Sequence, residues 1–251
     1  MAKHKGVIRF TGTIDGLTYY ESKYGPLVRK KAGPSAEQVK KDPAFQRLRE
    51  NGKEFGNCGK ATKTLRAVLM PLLKDARDYQ VTPRIIKLMA AIKNLDTLSA
   101  RGKRNVGNGI MAPTAKDLMK GFDFNEAAPL YRTLKKPYTI NKATGVITIP
   151  GMKPKQDLDY PKGATHAKIT GGWARIDFAA TPGKGELVLN NQVTLPLNGV
   201  LNNVVLTPVT LPGGAGKDIF VLQIVFFQEV NGVEYALKNG EFNAMGVVGV
   251  G

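Results

Sequence analysis

Phe220-Val221-Leu222-Gln223-Ile224-Val225-Phe226-Phe227 is apolar at every position but one. Eight residues, six of them β-branched or aromatic, suit a strand and fall well short of the roughly 18–20 that a membrane-spanning helix needs. The run lacks polar alternation, which predicts a central strand covered on both faces. Further strands are predicted at 164–178, 186–197 and 203–211 before it, and at 233–238 and 243–250 after it. Asn231-Gly232 supplies a tight turn. Tyr138-Thr139-Ile140 and Val146-Ile147-Thr148-Ile149 flank Asn141-Lys142-Ala143-Thr144-Gly145, a hairpin with glycine at its end. Seven or eight short strands with regular turns over 137–251 predict an antiparallel β-sandwich.

The chain before Pro137 has a different period. Val7–Ile14 and Leu17–Tyr20 flank Asp15-Gly16, and a second turn at Tyr24-Gly25-Pro26 leads into Leu27-Val28-Arg29, so a small basic β-meander is expected. Residues 34–120 read as helical. Asp42-Pro43 and Thr82-Pro83 each look like an N-cap followed by proline. Ile85, Leu88, Met89, Ile92 and Leu95 recur at helical spacing, predicting a helix near 83–97. The stretch 43–76 contains Gly52, Gly56, Gly59 and Pro71, which weaken a helix. At about 100° per residue from Arg49, the residues Lys53, Lys60, Lys63 and Lys74 fall on one stripe. Cys58, Ala61, Leu65, Val68, Leu69 and Leu72 fall opposite. Arg47 and Phe45 land on the wrong sides, which predicts a separate first helix broken near Gly52. Residues 99–136 read as loops, with one or two helical turns at 113–119. The expected fold is therefore α+β, with a basic hairpin and helical region over 1–136 and a β-sandwich over 137–251.

Charge is the strongest compositional signal. The 251 residues carry 37 Lys and Arg against 20 Asp and Glu, net +17. Residues 1–150 hold 29 basic and 12 acidic side chains; residues 151–251 hold 8 and 8. Such asymmetry points to an anionic partner for the first part. At 42% hydrophobic and 23% charged, the composition is that of a folded protein. The N-terminal residues have no apolar stretch behind them, and no apolar run is long enough for a membrane span, so a cytoplasmic or virion-associated setting is expected. A single cysteine, Cys58, makes no internal disulfide and fits a reducing compartment.

Gly12-Thr13-Ile14-Asp15-Gly16-Leu17-Thr18-Tyr19-Tyr20, Arg29, Asp42-Pro43-Ala44-Phe45-Gln46-Arg47-Leu48-Arg49-Glu50-Asn51 and Glu54-Phe55-Gly56 together resemble uncharacterised proteins of the phylum Bacteroidota. Arg101-Gly102-Lys103-Arg104-Asn105-Val106 and Gln228-Glu229-Val230-Asn231-Gly232 are similar too. The resemblance implies a bacterial or phage origin and carries over no functional residue.

Catalytic constellations are missing. The two histidines, His4 and His166, and the lone cysteine have no zinc spacing. His166 reads as an ordinary strand histidine and Cys58 as a packed thiol. Gly56-Asn57-Cys58-Gly59-Lys60-Ala61-Thr62 echoes a phosphate loop but has Glu54 where the first glycine belongs and Ala61 where the metal-binding hydroxyl belongs. Neither Asp157 with Asp159 nor Asp123 with Glu126 makes a convincing acid–base pair. No enzyme, cofactor, metal or small-molecule substrate is expected.

Basic clusters remain. The residues predicted to contact a polyanion are the stripe Arg49, Lys53, Lys60 and Lys63, then Arg101, Lys103 and Arg104, and also Arg29, Lys30 and Lys31 beside Tyr19, Tyr20 and Tyr24. Two functions fit. The first is a non-enzymatic, self-associating structural subunit, phage- or filament-like, whose basic N-terminal region reaches a neighbouring copy or a polyanion. Its support is the neutral, glycine-rich C-terminal half ending Met245-Gly246-Val247-Val248-Gly249-Val250-Gly251, an apolar edge that asks for a homo-oligomer. The second is a sequence-tolerant nucleic-acid-binding protein.

Overall fold

The structure, a computed structural model, describes residues 2–3, 11–30, 33–180, 182–200, 202–237 and 240–251. The chain divides into two compact units, Met1–Arg49 and Glu50–Gly251.

In the first unit β1 (Ala2–Lys3), β2 (Gly12–Ile14), β3 (Leu17–Ser22) and β4 (Gly25–Lys30) form an antiparallel sheet in the order β1-β4-β3-β2. Asp15 and Gly16 have φ of 47° and 76°, the two positive values the hairpin dipeptide is chosen for. Val7–Phe10, read above as part of the first strand, lie outside the described residues. Helix α1 (Ala36–Lys41) begins with a capping box. Ser35 Oγ accepts from Gln38 N at 3.1 Å, and Gln38 Oε1 accepts from Ser35 N at 2.7 Å. Asp42 then caps a 3-10 turn, Pro43–Phe45, by accepting from Ala44 N at 2.8 Å.

Helix α2 (Gln46–Leu73) is continuous, so the expected break near Gly52 does not occur. Cys58, Ala61, Leu65, Leu69, Leu72 and Leu73 are all buried along one side, and that burial outweighs the weak propensity of the glycines. Phe45, which disagreed with the stripe, belongs to the preceding turn rather than to α2. A Cβ added at Gly52, Gly56 or Gly59 meets nothing within 4 Å, and none of the three has a positive φ. Each Gly→Ala change is therefore expected to raise stability by about 0.5–1 kcal/mol, read as a higher thermal midpoint. A lower midpoint would reveal that this smooth helix side is in contact in the native protein.

The second unit continues with α3 (Val81–Asn94), α4 (Val106–Gly109), α5 (Ala115–Met119), α6 (Leu130–Thr133), β5 (Thr139–Asn141), β6 (Val146–Met152), α7 (Pro154–Asp157), β7 (His166–Asp177), β8 (Lys184–Pro196), β9 (Asn202–Leu206), β10 (Lys217–Val230), β11 (Val233–Ala236) and β12 (Ala244–Val250). A five-stranded sheet runs β11-β10-β7-β8, with β12 also paired to β10; a three-stranded sheet runs β5-β6-β9. As the apolar run predicts, β10 is central and Ile219 through Val225 are buried on both faces.

The β-sandwich expectation is overturned. The strands form an open, curled half-barrel. An Asn190↔Pro208 bridge links β8 to the strand end after β9, and Asn191 N donates to Thr207 O at 2.9 Å, so the two sheets meet along an edge instead of stacking. A register shift between Thr170 and Gly172 bends β7 against β8. Inside the curl Ile147, Ile149, Ile169, Trp173, Val204, Leu206, Phe220, Leu222, Ile224 and Phe226 share one core. Gly145, φ 71°, lets its hairpin lie on Trp173; a Cβ there would sit 2.3 Å from the indole.

The other face of the five-stranded sheet is where a sandwich would meet water. Here Ala174, Ile176, Ile219, Val221, Met245 and Val247 pack against Leu65, Leu69 and Leu72 of α2 and Ile85, Met89 and Ile92 of α3. The terminal strand is covered too. Strand β12 is buried at all seven positions. Its second edge is bonded by Gly121 N to Val247 O and Phe124 N to Met245 O, both 2.8 Å, and by Val247 N to Phe122 O at 2.9 Å. No helix among the described residues is long and apolar enough to cross a membrane.

Candidate functional site

Glu54 lies on the apolar side of α2 and is 2% exposed. A buried carboxylate needs partners. Arg104 grips it in a fork, Nε to Oε1 and Nη2 to Oε2, both 2.9 Å. Lys93 Nζ reaches Oε2 at 2.6 Å and Gly102 N reaches Oε1 at 2.9 Å. The Arg104 fork is the main reason its pKa falls to about 2, with Lys93 and the Gly102 amide assisting against burial. One turn earlier Glu50 takes Arg101 Nε at 2.8 Å. Gly102 has φ 83°, and a Cβ there would fall 2.6 Å from Glu50 Cγ. Asp96, 4% exposed, accepts from the amides of Leu98, Ser99 and Asn105 at 3.0 Å each. Burial acts to raise its pKa, but the hydrogen bonds from Ser99, Asn105 and Leu98 hold it below the usual carboxylate value. Arg101-Gly102-Lys103-Arg104-Asn105 is thus a loop folded onto three carboxylates, and two of its cations are consumed in doing so.

Lys103 is not consumed. With Lys60 and Lys63 of α2 it lines a cleft of about 800 Å³, whose walls also include Asn57, Thr64, Asn105 and residues 178–180 and 182–183. No carboxylate lines it among the described residues, and none of the three lysines forms an ion pair there. The predicted stripe is therefore partly assembled. Lys60, Lys63 and Lys103 come together. Lys53 is exposed on the same helix but does not line the cleft. Arg49 is tied within the first unit, donating to Val39 O at 2.7 Å and Asp42 O at 2.8 Å. Arg29 lies over the Tyr20 ring, 5.3 Å from its centroid, and Lys30 is exposed beside it; Lys31 lies outside the described residues.

Cys58 is 1% exposed and burial pushes its thiol pKa up, the opposite of an activated nucleophile. Gly56–Thr62 is helix and offers no phosphate-cradling loop. His166 Nδ1 is 2.9 Å from Thr165 Oγ1. Asp159 pairs with Arg132, Asp157 accepts from Lys153 N, and Asp123 accepts from Leu130 N. No group of three metal-ligating side chains occurs among the described residues.

Sequence reasoning missed the carboxylate hub, although a signal was present. At about 100° per residue Glu54 falls in the same arc as Leu65 and Leu72, and a charge on a buried arc announces a partner. A scan of family models, of curated proteins and of solved structures finds nothing that matches this chain.

Proposed function

We propose that the protein binds nucleic acid through its basic cleft, by phosphate contacts that tolerate sequence. One observation carries the reading: Lys60, Lys63 and Lys103 converge from two separate segments on a cleft without a carboxylate. The nearby acids Glu50, Glu54 and Asp96 are engaged by the loop that presents Lys103. Like charges held together repel each other unless an anion offsets them. The test is fluorescence anisotropy of a labelled single-stranded 20-mer against salt. Wild type is expected to bind at 50 mM salt and to weaken steeply by 200 mM. K60Q/K63Q/K103Q is expected to bind at least about tenfold more weakly and to lower the log–log salt slope by about 2, since each phosphate contact on a single strand contributes about 0.7. Failure of the wild type to bind at 50 mM, or an unchanged slope in the variant, would refute the reading.

Self-association is the second reading, and a different observation favours it. The terminal strand no longer argues for it, because β12 is covered within its own chain. The first unit does. None of its described residues from Thr11 to Lys30 or from Gly33 to Arg49 is buried, and Ile14 and Tyr24 are 52% and 73% exposed. A small sheet without a core is marginal by itself. On this reading the unit is ordered by a neighbouring copy. Light scattering then gives a multiple of 27.2 kDa for the full chain, and removal of residues 1–45 gives monomers. A full-length monomer at high concentration would exclude it.

A further inference from the structure

We infer that a second cleft, between the end of α2 and the far end of the five-stranded sheet, binds a phosphorylated small molecule bearing hydroxyl groups. This site is separate from the lysine cleft and does not depend on the nucleic-acid reading. Helix α2 covers the sheet as far as Gly172, where an added Cβ would lie 2.9 Å from Leu72 Cδ1. The next row on that face is polar. Gln223 of β10 pairs with Thr170 of β7, which pairs with Gln192 of β8, so amide, hydroxyl and amide stand in line across three neighbouring strands. Gln223 is the one polar residue in the apolar run 220–227. It is 5% exposed and Thr170 is 8% exposed. Gln223 Nε2 donates at 2.5 Å to Leu72 O, in the last turn of α2. Gln192 is exposed at the open end of the row, while polar side chains as deep as Gln223 and Thr170 cost stability unless they are hydrogen-bonded.

The rim above the row is cationic. Arg66, Lys74 and Arg77 line the cleft, and none forms an ion pair among the described residues. Arg66 Nε is shielded from solvent and donates to no acceptor there. Arg66 as a whole is part-buried, so the cost of its charge is small, but a shielded donor left unpaired is unfavourable and an incoming anion would satisfy it. The other charges of the lining are largely committed. Asp78 is paired with Arg84 and accepts from Glu126 N through Oδ2, while its shielded Oδ1 accepts from no donor among the described residues. Lys168 lies over the Phe227 ring and 3.4 Å from Glu234. Asp75 is the remaining acid against three cations. The volume, about 1090 Å³, is at the upper end for small-ligand sites and far exceeds a lone phosphate. Cations at the rim and hydrogen-bonding groups on the floor together match a sugar phosphate or nucleotide.

The test is calorimetric titration of the full-length protein with ATP, ribose 5-phosphate, inorganic phosphate and adenosine. ATP and ribose 5-phosphate are expected to bind with Kd below about 1 mM. Inorganic phosphate, which meets only the rim, is expected to bind at least about tenfold more weakly, and adenosine more weakly still. K74Q/R77Q changes two exposed residues that leave the fold intact and is expected to cost at least about tenfold for ATP and ribose 5-phosphate. T170V/Q192L is expected to weaken ribose 5-phosphate but not inorganic phosphate. K60Q/K63Q/K103Q is expected to leave all four titrations unchanged, which separates this site from the nucleic-acid cleft. The inference is overturned if neither ATP nor ribose 5-phosphate binds at about 5 mM, if inorganic phosphate binds as well as ribose 5-phosphate, or if the lysine-cleft variant loses as much affinity as K74Q/R77Q.

Discussion

Residues 137–251 expressed alone are expected to show no cooperative unfolding transition, whereas residues 50–251 unfold as one unit. The six sheet residues Ala174, Ile176, Ile219, Val221, Met245 and Val247 are at most 2% exposed in the whole chain, and their cover is α2, α3 and the short segments that follow. Removing residues 50–136 uncovers them together. Each large aliphatic side chain re-exposed forfeits about 1.5–3 kcal/mol, so the sum approaches 10 kcal/mol, about the whole stability of an ordinary domain. The fragment also loses the 121–124 segment, which bonds the outer edge of β12. An unpaired apolar edge beside an uncovered apolar face is a site of aggregation. Near-ultraviolet circular dichroism and a urea titration of both fragments decide the matter. A soluble 137–251 fragment with a sharp transition would show that the half-barrel holds itself together.

That experiment also bears on how far the fold is legible in sequence. Local signals translate directly. Asp15-Gly16 and Asn231-Gly232 turn where positive φ is cheapest, and all four residues have it. The run 220–227 is central because nothing in it tolerates water except Gln223. Helical spacing places Leu65, Leu69 and Leu72 on one buried arc. The switch of period and charge at Pro137 is equally real, and it predicts a boundary there. What a linear reading lacks is who covers whom. The helices before Pro137 and the strands after it share one core, and the chain's two compact units are Met1–Arg49 and Glu50–Gly251. Strand count and turn spacing suit a sandwich and a curled sheet alike. The choice is made by non-local contacts: the Asn190 bridge, the bulge near Gly171, and helices occupying the face a sandwich leaves to solvent. The basic stripe was legible as a direction on α2. Its division into structural and available cations was not, because Arg101 and Arg104 meet Glu50 and Glu54 across about fifty residues of sequence.

Glu54→Ala is expected to destabilise the protein by about 3 kcal/mol at neutral pH, toward the low end for a broken buried ion pair. The low end applies because the Arg104 side chain is 32% exposed and can turn to water, while Lys93, at 12%, is left with a buried charge and no partner. For a chain of this length the loss lowers the thermal midpoint by about 6–12 °C. The pH dependence gives a sharper test than the magnitude. Glu54 has a folded pKa near 2 against an ordinary 4.5, a depressed carboxylate. Its contribution is therefore complete above about pH 4.5 and is lost as pH falls toward 2, where the folded state is finally protonated. Urea titrations of wild type and Glu54→Ala at pH 7 and pH 3 should show the gap between them closing in acid. A gap of equal size at both values would mean that the alanine acts through lost packing and not through charge. Destabilisation should carry a functional consequence as well, because Lys103 stands between Gly102 and Arg104, both bonded to Glu54. Loosening that loop is expected to weaken oligonucleotide binding at 50 mM salt at temperatures where Glu54→Ala is still folded, although Glu54 itself repels phosphate. Tighter binding by the alanine variant would show that removing a negative charge matters more than holding Lys103 in the cleft.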